Sequence, residues 1–168
     1  MNIQFLSNRY TIRDLLPQDA EMIYEVLKTN TIFYKYHPPM VTVESILEDM
    51  EALPINKGYE DKHYIGFFDE GTLVAVMDLI EHYPKAGTVL LGFFAMNANL
   101  HGQGIGTVII SDSISYLAQV GFKTVRLGID KGNPQSKAFW LKSGFTFTGE
   151  DYESDGSVIL VMERKLYV

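Results

Sequence analysis

Apolar residues recur along this chain with two spacings, and the changes between them mark its elements. Arg9 to Leu15 reads as a short strand. After Pro17-Gln18-Asp19-Ala20, a helix-start sequence, Ala20, Ile23, Tyr24 and Leu27 return every three or four residues. Thr31 to Met40 is crowded with Phe33, Tyr34, Tyr36 and His37 and then broken by Pro38-Pro39, which predicts a loop. Thr42 is a suitable cap for a second helix running to Ala52, with Ile46 and Met50 on one face.

Strand spacing takes over next. His63 to Phe68 and Leu73 to Ile80 flank Asp69-Glu70-Gly71, a hairpin link. Tyr83 to Gly87 forms another turn before a strand from Thr88 to Met96. A helix is predicted from about Gly104 to Gln119, with Ile110, Ile114, Leu117 and Ala118 inward and Ser111, Asp112 and Ser115 outward, ending at Gly121. Thr124 to Ile129 reads as a buried strand. Pro134 to Ser143 reads as a helix with proline early and Gly144 just beyond it. Phe145 to Gly149 and Val158 to Leu166 flank Asp155-Gly156 and read as an antiparallel pair. The order predicts an α/β (α+β) fold, a mixed, mostly antiparallel sheet flanked by helices.

Bulk properties narrow the function. A length of 168 residues, with no linker or repeat, suits one domain across 1–168. The longest apolar run, Val89 to Met96, is far short of the roughly 20 residues of a membrane span, and Met1 to Tyr10 lacks signal-peptide character. Zero cysteines exclude disulfides and thiol nucleophiles and fit a cytoplasmic protein. A net charge of −7 argues against a nucleic-acid partner and is compatible with a cationic substrate. His37 and His63 have no ligand-like spacing to other histidines or acids, so no metal is expected.

The informative segment is His101-Gly102-Gln103-Gly104-Ile105-Gly106-Thr107, which follows a strand and opens a helix. Alternating glycines admit a ligand close to the backbone, and the first helical turn offers free N–H groups to an anion such as a pyrophosphate. A glycine-rich turn that merely starts a helix is the plainer alternative. A Rossmann dinucleotide site is disfavoured. Thr107 stands where a third glycine or alanine is needed, and Asp130 lies beyond the roughly 20-residue offset of the acidic partner.

The glycine segment is followed, after an intervening strand, by Asn133-Pro134-Gln135-Ser136-Lys137-Ala138-Phe139-Trp140-Leu141-Lys142-Ser143-Gly144-Phe145. Together the two segments resemble the GNAT N-acetyltransferase superfamily: a pyrophosphate loop of the form Arg/Gln-x-x-Gly-x-Gly/Ala, then a strand, an Asn, and a helix ending in Tyr-x-x-x-Gly-Phe. The resemblance extends from about Arg9 to Leu166. It implies acetyl-coenzyme A as co-substrate, transfer to an amine, and specific roles. Backbone N–H groups of Gln103, Gly104, Ile105, Gly106 and Thr107, with Gly102 and His101 beside them, would hold the pyrophosphate. Phe94 and Met96 would pair with the pantetheine arm as an added strand. Asn133 would contact the arm, cap the helix, or do both. Two positions depart from the pattern: His101 stands for Arg/Gln, and Trp140 for the Tyr often proposed to protonate the leaving thiolate. An indole N–H is no usable acid, so Trp140 is expected to pack beside the cofactor.

The implied reaction is direct attack of an amine on the thioester, with the Met96 N–H aimed at the oxyanion. Asp78, a charge inside the apolar strand Leu73 to Ile80, is the candidate base or amine anchor, with a paired structural Asp as the alternative. Tyr34, Tyr36 and His37 fall where the family builds its acceptor pocket, and Tyr83 at the following turn is a further candidate. Core packing of Phe33 to His37 is the alternative. A small-molecule amine is the expected acceptor. A protein or peptide amine, or a coenzyme A sensor without turnover, remain the competing readings. The C-terminal strand pair would support a homodimer.

Overall fold

The computed structural model describes residues 1–167. Strand β1 is Thr11–Asp14, shorter than the alternation suggested. The Ser7 hydroxyl accepts from both Arg9 N (3.1 Å) and Tyr10 N (3.1 Å), which holds those residues in the preceding turn. Pro17–Asp19 forms one 3₁₀ turn ahead of α1 (Ala20–Leu27), whose Ala20, Ile23, Val26 and Leu27 are buried.

The aromatic segment corrects the sequence expectation of a loop. Thr31–Tyr36 forms α2, with Tyr34 N donating to Asn30 O (3.2 Å) and His37 N to Phe33 O (2.9 Å). Pro38-Pro39 excludes the helical conformation only just ahead of it, so a single short helix fits before the break. Helix α3 is Val43–Glu51. Thr42 caps it, its Oγ1 accepting from Ser45 N (3.0 Å) while Thr42 N donates to Ser45 Oγ (2.9 Å).

Strands β2 (Lys62–Asp69) and β3 (Thr72–Glu81) form a hairpin whose turn carries two positive φ angles, Glu70 at 47° and Gly71 at 84°. Then come β4 (Thr88–Met96), α4 (Ile105–Gln119), β5 (Thr124–Asp130), α5 (Pro134–Lys142), β6 (Thr146–Ser154) and β7 (Ser157–Lys165). The seven strands lie in the order β1-β2-β3-β4-β5-β7-β6, antiparallel except for β4 beside β5. One face buries Ile109, Ile110 and Leu117 of α4 and Trp140 of α5. The other buries Ile23 and Leu27 of α1 and Ile46 of α3.

The feature that positions the site is a break in pairing. Strands β4 and β5 pair only over Thr88–Leu90 against Thr124–Arg126. In the β3–β4 ladder Asp78 opposes Phe93 but Leu79 opposes Leu91, which leaves Gly92 as the extra residue of a bulge. A bulge bends its strand, so the far half of β4 turns from β5 and the sheet opens into a V.

Candidate active site

Two cavities occupy the V. One, about 350 Å³, lies along the glycine loop and the start of α5; the other, about 310 Å³, lies between α2 and the β5–β7–β6 side. Phe33, Phe94, Ser136 and Trp140 line both, so the cavities meet at these four residues.

The loop side is built as an anion cradle. Gly102 and Gly104 have φ of 81° and 77°, a region that side-chain-bearing residues avoid, and a Cβ at either would meet no neighbour within 4 Å. The space beside both is open to a ligand. Gly106 has a different task. A Cβ there would come 3.3 Å from Met96 Sδ and 3.3 Å from Phe139 Cε2, so this glycine lets α4 pack against the end of β4 and α5. Gly104 caps α4, and the first-turn N–H groups that follow point toward the loop with the positive end of the helix dipole. Gln103 is exposed, and its side chain does not line the cavity. His101 lines the mouth, where desolvation holds its imidazole below the usual range and so largely neutral at pH 7. A lone neutral histidine therefore stands where the family pattern has Arg or Gln.

The opposite wall is the splayed half of β4. Asn97 N donates to Val74 O (3.0 Å), and alternation along an antiparallel ladder then turns the main-chain groups of Phe94 and Met96 away from β3 toward the opening. The Met96 carbonyl accepts from Asn30 Nδ2 at 2.9 Å, so Asn30, immediately before α2, pins the tip of the wall. Nothing in the sequence pattern marked Asn30, because a contact 66 residues away leaves no local trace. Asn133 is buried and caps α5, its Oδ1 accepting from Gln135 N (3.1 Å) and Ser136 N (3.2 Å); its Nδ2 is buried without a partner. Trp140 is 7% exposed and packs edge-on against Phe94, Phe139 and Phe145 at centroid distances of 6.1, 4.8 and 5.1 Å. These aromatic contacts fix the floor where the cavities join. The free backbone turn, the open space at Gly102 and Gly104, and the exposed edge of β4 fit a coenzyme A pyrophosphate and pantetheine arm.

On the other side of the junction, His37 Nδ1 lies 2.9 Å from Asp130 Oδ1, and both residues line the second cavity. Asp130 ends β5 with its side chain 6% exposed, while that of His37 is 37% exposed. Tyr152 of β6 closes the far wall over Gly128. A Cβ at Gly128 would come 3.1 Å from the Tyr152 hydroxyl and 2.5 Å from Ile159 Cγ2, so glycine makes room for the phenol. Although the Tyr152 residue is 53% exposed, partial desolvation of its hydroxyl raises it above its usual range, which keeps it a hydrogen-bond donor. Asp130 and Tyr152 escaped sequence reading. Glycines inside apolar strands, at 92 and 128, were the available signal that a backbone opens or is closely approached there.

Tyr34, Tyr36 and Tyr83 line neither cavity. Helix α2 turns Tyr34 onto the α1–α3 core, Tyr36 lies under Lys35, and Tyr83 stays in the β3–β4 turn. Asp78 is also outside both cavities. Its Oδ2 is 2.8 Å from Lys62 Nζ, which also donates to Ala52 O (2.9 Å); the two side chains are 14% and 4% exposed. Burial raises the Asp78 carboxyl despite the opposing Lys62, and its Oδ1 has no partner. The charge that interrupts β3 is thus one half of a buried ion pair. Among the described residues no group of three or more histidines and acids is placed to hold a metal, and no helix is long and apolar enough to cross a membrane.

An anion cradle at a helix start, an open strand edge and a second cavity meeting the first suit the transfer of an acyl group from coenzyme A to an acceptor. The sequence profile described as the acetyltransferase (GNAT) family matches residues 21–145, and the chain belongs to that family. It is an acetyl-coenzyme A-dependent N-acetyltransferase. The fold is similar to that of PaiA N-acetyltransferase from Thermoplasma acidophilum in complex with coenzyme A (TM-score 0.66, 20% identity, 93% of this chain and 98% of that one). It is similar also to a ribosomal-protein-alanine N-acetyltransferase from Brucella melitensis (0.65, 20%, 92% and 99%). A spermidine N-acetyltransferase chimera of Vibrio cholerae SpeG and hSSAT aligns comparably (0.69, 16%, 94% and 96%). No curated protein sequence matches the chain significantly.

Proposed function

We propose that this enzyme acetylates the primary amine of a small molecule. The observation that carries this reading is the second cavity: about 310 Å³, walled by Phe33 and His37 on one side and Tyr152 on the other, and joined to the coenzyme side at Phe94 and Trp140. A space of that size, bordered by aromatic rings, suits a compact apolar amine better than an extended peptide. Structural likeness does not choose between acceptors, since a spermidine enzyme and a ribosomal-protein enzyme resemble this chain equally well.

In this reading the N–H groups of Gln103 to Thr107 hold the pyrophosphate and the β4 edge at Phe94 and Met96 aligns the pantetheine arm. The thioester carbon then sits at the junction, and an amine in the second cavity attacks it directly. Proximity supplies much of the acceleration, and a free main-chain N–H of the β4 edge, that of Phe94 at the junction rather than Met96 at the strand tip, stabilises the tetrahedral oxyanion. Collapse breaks the C–S bond. A thiol has a pKa of about 8.5, so its thiolate departs without the strong acid that Trp140 cannot supply. The acceptor is the harder problem: an alkyl amine of pKa about 10.4 needs about 4.6 kcal/mol to become neutral at pH 7.

Thiol release from acetyl-coenzyme A, measured with phenethylamine, spermidine, and peptides bearing a free N-terminus or a lysine, tests the reading. A small amine is expected to exceed both peptides in kcat/KM by at least about tenfold, the cost of misplacing one interaction worth 1.4 kcal/mol. The reverse order would make this a peptide acetyltransferase. Stabilisation by acetyl-coenzyme A with no turnover of any acceptor would make it a sensor.

A further inference from the structure

We propose that His37, oriented by Asp130, is the general base that removes the proton from the acceptor ammonium. This deepens the preceding reading and rests on it, because it assumes that the acceptor amine enters the second cavity. The carboxylate of Asp130 accepts only, so the 2.9 Å contact requires the proton on His37 Nδ1 and leaves Nε2 as a lone-pair acceptor. No other hydrogen bond to the His37 ring occurs among the described residues. That ring lies 5.4 Å from Phe33, which lines both cavities, so the base stands one ring from the junction. A carboxylate sealed at the end of β5 behind a half-open imidazole is the orienting arrangement of catalytic triads, here without a nucleophile.

The groups facing His37 are Asp130 from β5 and Tyr152 across the cavity, and Asp49 from α3 is near enough to feel any positive charge the imidazole takes up. The charges of Lys62 and Asp78 act on Asp49 in turn. The balance is complete with residues and substrates alone. The ammonium gives one proton to His37 Nε2, and the neutral amine forms a C–N bond to the thioester carbon. The adduct loses its second nitrogen proton to the departing thiolate as the C–S bond breaks. The products are the amide and free thiol, and the proton on His37 passes to solvent. Asp130 is a positioning residue, since it touches His37 and not the acceptor.

The test is thiol release with phenethylamine from pH 6 to 9 in wild type, His37→Gln and Asp130→Asn. Loss of a general base predicts a kcat about 10²-fold lower at pH 7 in His37→Gln, with the acetyl-coenzyme A KM within about twofold. The kcat/KM of that variant is expected to climb about tenfold per pH unit, following the free-amine fraction, where the wild type levels off. Asp130→Asn keeps shape but can donate to Nδ1, which moves the ring proton to Nε2; its loss should approach that of His37→Gln. Wild-type turnover with His37→Gln retaining more than half the rate and an unchanged profile overturns the assignment while leaving the amine reading intact. Imidazole ¹⁵N shifts of His37 give a second readout that needs no acceptor: an Nδ1–H tautomer in wild type supports the assignment, and an Nε2–H tautomer overturns it.

Discussion

Two aspartates, one largely and one fully buried (side chains 14% and 6% exposed), lie in neighbouring parts of one sheet, each bonded to a basic side chain at nearly the same distance, yet they differ in what lies beyond the partner. Asp78, inside β3, meets Lys62 at 2.8 Å, and the lysine side chain is 4% exposed. Asp130, at the end of β5, meets His37 at 2.9 Å, and the imidazole is 37% exposed on a cavity wall. The first pair is sealed, and both charges are spent on each other. The second has an outlet, and its carboxylate can direct chemistry through the ring it holds. The exposure of the partner, more than the burial of the acid, separates the structural pair from the candidate catalytic one.

The sharpest way to break this contrast is Asp78→Ala. It strands a buried Lys62 charge and is expected to lower unfolding free energy by about 3–5 kcal/mol, read from urea denaturation. Folded variant should keep kcat within about threefold, since Asp78 borders neither cavity. Replacing both partners, Lys62→Met with Asp78→Leu, should return stability to within about 1 kcal/mol of wild type, because a buried pair and an apolar replacement are nearly equivalent. The raised Asp78 carboxyl agrees with that near balance. A large loss of kcat in the double variant would make the sealed pair catalytic after all.

Smaller effects probe the coenzyme side. Gly104→Val puts a β-branched residue at φ 77°, strained by about 1–3 kcal/mol, with its side chain in the open loop space. Acetyl-coenzyme A should bind about tenfold more weakly by calorimetry, with phenethylamine KM little changed. The smallest effect is at His101. Partial desolvation at the cavity mouth depresses its folded pKa, so the unfolded chain binds more protons in the window just below pH 6.5. That contribution is complete above about pH 6.5 and is lost as pH falls through the folded value. Thermal midpoints from pH 5 to 7.5 should show this slope in wild type and a flatter one in His101→Gln.

Much of the fold was legible because local rules governed it. The strand Thr88–Met96, the Thr42 cap and the Glu70-Gly71 turn follow from alternation, capping and positive-φ chemistry. Helix α2 was not legible: six residues of mixed aromatic character carry weak helix preference, and packing of Phe33 and Tyr34 decided the matter. At the site, the glycine loop and the Asn133–Phe145 segment stood out since each is contiguous in sequence. Asp78 also stood out, as a charge in an apolar run, but its partner Lys62 sits in a neighbouring strand and no spacing rule reveals it. Asp130 was hidden for the opposite reason, because a charge at the end of a strand is ordinary. Its pairing with His37 spans 93 residues and exists only once β4 and β5 have parted.

The joined cavities are tested most directly by a conjugate in which phenethylamine is tethered through an acetyl bridge to the sulfur of coenzyme A. Calorimetry should find it at least about 10²-fold tighter than coenzyme A, as expected of a ligand that fills both sites and carries the geometry of the reacting pair. Binding no tighter than coenzyme A alone would mean that the cavity behind His37 does not receive the acceptor.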